Sequence, residues 1–97
     1  MTDEQLEALN NLQKEVHFGE VAENAYNTYF KDFLNAQTER IFTNFRALPL
    51  TDDIAIKNLK LLQTALDTLD LAIRQDIANG KHAQTVIDGY KKDNENG

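Results

Sequence analysis

The apolar positions of this chain recur every three or four residues, and no stretch alternates strictly between apolar and polar. Leu6, Leu9, Leu12 and Val16 keep the spacing of one buried helical stripe. Thr2 is placed to cap that first helix, and Gln5, three residues on, completes a capping-box pattern. Gly19 is the first expected stop, since glycine enters the left-handed region at a helix end without steric penalty. A second helix is expected from about Glu20 to Ala47. Its length would be roughly 42 Å at 1.5 Å per residue. Pro49 ends it, because a proline disfavours helix at the residue before it. Thr51 is the expected next N-cap, with Asp52 and Asp53 suiting the positive end of the following helix dipole. The third helix is expected to run to about Asn79 and to stop at Gly80.

On a wheel of 100° per residue, Tyr26, Tyr29, Phe30 and Phe33 fall within an arc of about 100°, and Ala22 and Ile41 extend it. That geometry predicts a core face, with the tyrosines at its margin where a hydroxyl stays wet. On the third helix, Ala55, Leu59, Leu62, Leu66, Leu69, Ile73 and Ile77 fall in an arc of about 80°, close to a coiled-coil seam. Tyr29, Phe30, Phe33, Leu62, Leu66 and Leu69 are therefore expected to share one core. Ile54, Leu61, Ala65 and Ala72 form a second apolar row with Leu71 near it. A helix with two such rows touches two partners, and the second row goes either to helix one or to a second chain.

These elements predict an all-α fold: a long antiparallel helical hairpin with a shorter N-terminal helix, together a slender three-helix bundle. Residues 1–88 form one helical domain in this reading. Residues 89–97, which after Tyr90 hold no apolar side chain, form a flexible polar tail.

Ninety-seven residues make one domain, with a thin margin of stability unless it associates. There is no cysteine for a disulfide framework or a thiolate metal site. The start is acidic where a secretory signal would be basic, and no apolar run approaches the ~20 residues needed to cross a bilayer. These features point to a soluble, cytoplasmic protein. The net charge of −6 argues against direct nucleic-acid binding, which needs a basic face. Lys57 and Lys60 lie one turn apart but follow Asp52 and Asp53, while Arg40 and Arg46 point to different sides of their helix.

Catalytic candidates are poor. Serine is absent, which removes the usual triad, and there is no glycine-rich phosphate loop. His17, Glu20 and Glu23 have spacings from which a metal site could be drawn, but a helix stop at Gly19 would break the face they need. His82, next to Lys81 behind Gly80, fits a role at a helix C-terminus. No enzyme activity, metal or cofactor is expected.

The stretch "AYNTYFKDFL", the proline-broken turn, the leucine-rich helix and "DIANGKHA" resemble small helical proteins of tailed phages and prophages encoded among head and packaging genes. The resemblance covers about residues 20–88. It implies a non-enzymatic accessory role in virion assembly, exerted by protein contact. An alternative is an acidic inhibitor that blocks a nucleic-acid-binding site on a host or defence protein. Under either reading the partner is a protein, and self-association into a homo-oligomer is expected. Phe42, which projects about 130° away from the aromatic stripe, is left over together with Leu61 and Leu71. These three are the candidate protein-interaction residues.

Overall fold

A computed structural model describes residues 2–96, with side chains from Thr2 to Asp93. All of its regular structure is helical, and no strand occurs among the described residues. Helix α1 spans Asp3–Ala25, a π-helical turn spans Tyr26–Phe30, α2 spans Lys31–Ala47 and α3 spans Asp53–Asn96. The first three join without a break, so the chain makes two helical runs, 3–47 and 53–96. The separate short N-terminal helix of the expected bundle does not occur.

The α1 start matches its sequence signature. The Thr2 backbone N–H donates to Gln5 Oε1 at 2.9 Å, and the Gln5 N–H donates to Thr2 Oγ1 at 3.1 Å. The proline turn also lies where expected, between the two runs. Leu48, before Pro49, is extended at ψ 141°, as the proline ring demands. The next cap moves by one residue. Asp52, not Thr51, accepts the N–H of Ala55 on its Oδ1 at 3.2 Å, and α3 begins at Asp53.

Neither glycine stops its helix. No glycine among the described residues has positive φ. A Cβ built on Gly19 would lie 2.8 Å from Gly80 Cα, and one built on Gly80 would lie 2.8 Å from Gly19 Cα. Both residues are buried. They are glycine because two helix backbones touch there, not because a helix ends. Residues 89–96, in the stretch expected as a flexible tail, continue α3 as helix; Gly97 lies outside the described residues.

The chain divides into two units by its internal contacts, Met1–Asn24 with Ile73–Gly97, and Ala25–Ala72. The first pairs α1 with the C-terminal half of α3 in antiparallel fashion. Glu23 meets Lys81 at 3.4 Å and Gly19 meets Gly80, while Leu9 and Ile87 line one concavity nearer the α1 start. Ala83 and Ile87 are buried beside this crossing.

The second unit is an antiparallel hairpin closed at Pro49. Its buried side chains are Leu34 and Ile41. The expected aromatic core is overturned here: Tyr29 is 72% exposed and Phe33 52%, and Phe30, Leu62 and Leu69 are exposed as well. Of that set only Leu66 is half-buried. Two features account for this. The π turn inserts one extra residue, so the inward phase after Phe30 advances by about one position. Leu34 takes the inward place assigned to Phe33, while Ile41, at the edge of the expected stripe, remains inward and is buried. From Ile56 to Ile73 on α3, the half-buried positions are Ile56, Leu59, Gln63, Leu66, Asp70 and Ile73, an uninterrupted 3-4 repeat that includes two polar residues. The helix turns these inward, and Leu62 and Leu69 move out to its flank.

Both inward polar residues have partners. Tyr26 donates its hydroxyl to Asp70 Oδ1 at 2.8 Å. Gln63 donates from Nε2 to Thr38 Oγ1 at 3.4 Å and to Asp67 Oδ1 at 2.9 Å. Polar groups in a heptad seam lower stability but define which residues face one another. The bonds to Tyr26 and Thr38 form only when the helices hold this register.

Candidate interaction surface

Around α3 in the second unit, 100° per residue gives three sectors. One is the seam. A second, which holds Lys57, Lys60, Thr64, Asp67 and Thr68, is polar apart from Leu71. The third spans about 100° and holds Ile54, Leu61, Leu62, Ala65, Leu69 and Ala72, with Asn58 as its one polar residue. All of these apolar residues are exposed, Ile54 at 75% and Leu61 at 68%. Four of them are the second row seen in the sequence. The hairpin itself leaves that row uncovered.

Helix α2 contributes apolar side chains on both flanks of the hairpin. Thr38, Ile41, Phe42 and Phe45 of α2 line a shallow apolar groove of about 340 Å³ together with Ile56, Leu59, Lys60 and Gln63 of α3. The Phe42 flank of α2 therefore adjoins the Lys60 flank of α3. Phe33 is about 180° around α2 from Phe42, which puts it on the side of Leu62 and Leu69.

The three candidate interaction residues are all exposed, yet they do not share one face. Leu61 belongs to the apolar sector. Leu71, ten residues along α3 and so about 15 Å away, stands among polar neighbours. Phe42 lies on the groove side, where the Arg46 guanidinium packs 5.5 Å from its ring centre in a cation–π contact. The residues missed at this surface are Leu62, Leu69 and Phe33, whose apolar character had assigned them to the core.

Two side-chain expectations need correcting. His82 is not at a helix end, since α3 continues to Asn96, and it is exposed on a continuous helix. The expected interruption behind His17 is likewise absent, so His17 and Glu20 stand on an unbroken α1. Among the described residues no three His, Asp or Glu side chains converge as a metal site, and no helix is long and apolar enough to cross a membrane.

A family model described as the PRAME N-terminal domain matches residues 3–96. That family is eukaryotic, and the match overturns the resemblance to phage head and packaging proteins, for which no phage homologue is found. No curated protein and no solved structure matches the chain significantly.

Proposed function

The chain belongs to the PRAME N-terminal domain family, and we propose that it is a non-enzymatic helical module that works by protein–protein contact. One observation carries this reading: the uncovered apolar sector of α3 between Ile54 and Ala72. A helix needs one apolar stripe to pack against its neighbour, and here the seam supplies it. The second stripe has no structural use inside the hairpin. Exposed large apolar side chains scattered singly are ordinary, but a continuous stripe is the mark of a contact surface.

The chemistry elsewhere supports the same reading. Most carboxylates are dispersed over wet helix faces, the inward Asp70 is engaged by the Tyr26 hydroxyl, and neither serine nor cysteine is present as a nucleophile. The acidic balance favours a protein partner over nucleic acid.

Affinity capture from a cell extract tests the proposal with three baits: the wild type, a Leu61→Glu/Leu69→Glu variant and a Leu71→Glu control. Proteins held by the wild type and the control should fall about tenfold or more on the double variant, because placing a charge where an interface buries a leucine costs at least ~1.4 kcal/mol. The same proteins held equally by all three would contradict it.

A further inference from the structure

We infer that the apolar sector of residues 54–72 is closed by the same sector of a second copy of this chain, running antiparallel about Ala65. This rests on the contact-module reading and supplies its partner.

Self-complementarity is the first support. A two-fold contact needs a patch that fits itself when reversed. Reversed about Ala65, Leu61 meets Leu69 four residues away on either side, and Asn58 meets Ala72 seven residues away. The alanine at the centre admits close approach of two helices, and the leucines on each side fill the space that opens away from it. The sector also carries no charge. Two chains of net charge −6 can approach on the sector of residues 54–72 without opposing two like charges at contact distance. The reversal sets Ile54 against Asp76, eleven residues from Ala65 on either side, so the nearest charge on this face falls at the rim of the contact.

Area is the second support. Ile54, Leu61, Leu62, Leu69 and Phe33 are each between 42% and 75% exposed. Together with the two alanines they offer on the order of 500 Å² per chain, against ~800 Å² per partner in a standard interface. Two copies would bury ~1,000 Å², which suits a weak, concentration-dependent dimer.

Sedimentation equilibrium from ~1 to ~200 μM, the range expected for such an interface, tests it on the full chain. The wild type should rise from 11.0 kDa toward twice that mass. Leu61→Glu/Leu69→Glu should stay monomeric and Leu71→Glu should behave as wild type, with circular dichroism reporting helicity in each. As the chain has no cysteine, Ala65→Cys gives a second readout that needs no charge in the interface. Mild oxidation should link it into a covalent dimer, and Thr85→Cys much less. A wild type monomeric throughout, a double variant that dimerises as well as the wild type, or equal cross-linking at 65 and 85 would overturn the inference. If the wild type is monomeric but captures other proteins through Leu61 and Leu69, only the second copy is wrong. If face-dependent capture is missing too, the contact-module reading falls with it.

Discussion

Helix α3 presents its inward residues at a 3-4 repeat in both units of this protein, but the two units solve the packing problem with opposite chemistry. Where α3 meets α1, the helices approach through the absence of side chains: Gly19 against Gly80, with Ala83 at 0% exposure beside them. At that crossing close backbone approach replaces side-chain bulk, and Ile87 packs beyond it. Where α3 meets α2, the contact is made by large side chains, Leu34 and Ile41, and by two polar bridges, Tyr26 to Asp70 and Gln63 to Thr38. Their outer faces differ in the same way. In the glycine unit α3 shows Gln75, Asn79, His82 and Thr85 to solvent; in the other it shows Ile54, Leu61 and Leu69. Placing polar residues in the seam leaves leucines outside it, and that displacement gives α3 its apolar outer sector in the second unit, whereas the large apolar side chains exposed in the first unit, Leu6, Phe18 and Val21, stand mainly on α1.

The largest expected effect breaks the glycine contact. Gly80→Leu places a side chain where a Cβ alone would be 2.8 Å from backbone, and overpacking of this kind should cost about 3 kcal/mol or more in denaturant unfolding. A cost below ~1 kcal/mol would mean the helices do not touch there.

Next comes the phase of the second unit. Leu34→Ala should lose about 2–4 kcal/mol, while Phe33→Ala, one residue away and half-exposed, should lose about 1 kcal/mol or less. The reverse order would restore the unshifted aromatic core and remove the effect assigned to the π turn.

A smaller effect belongs to the Tyr26–Asp70 bridge. A double-mutant cycle with Tyr26→Phe and Asp70→Ala should return a coupling of about 1 kcal/mol. Strictly additive losses would leave Asp70 in the seam without a stabilising role.

The smallest effect is also the only gain. Gly89 has nothing within 4 Å of a built Cβ, so Gly89→Ala should stabilise by about 0.5–1 kcal/mol. Gly80→Ala, with the same change in helix propensity, should destabilise. Equal signs would contradict the distinction between the two glycines.

Much of this fold was legible from the sequence. The Thr2–Gln5 cap is a local pattern whose partners are three residues apart, and Pro49 acts through its own ring; both needed no knowledge of the rest of the chain. The glycines were misread because a single sequence does not separate a residue needed for positive φ from one needed for close approach. The seam was misplaced because hydrophobicity ranks Leu62 and Leu69 above Gln63 and Asp70, whereas the fold ranks positions by which partner they meet across the helix pair. The π turn adds an error of one residue that no wheel at constant pitch contains. The candidate surface came through in part. Its row of Ile54, Leu61, Ala65 and Ala72 was visible as a periodicity, but its leucine flank was hidden by that same misassignment.

The central claim is that α3 buries one alanine and exposes another on otherwise similar helical backbone. Thiol labelling of Ala65→Cys and Ala83→Cys at ~1 μM, well below the concentration at which an interface of this size forms, measures it directly. Ala65→Cys should react at close to the rate of the denatured chain, while Ala83→Cys should react on the order of 100-fold more slowly, limited by local opening. Equal rates at the two positions, or protection of Ala65→Cys in the dilute protein, would contradict it.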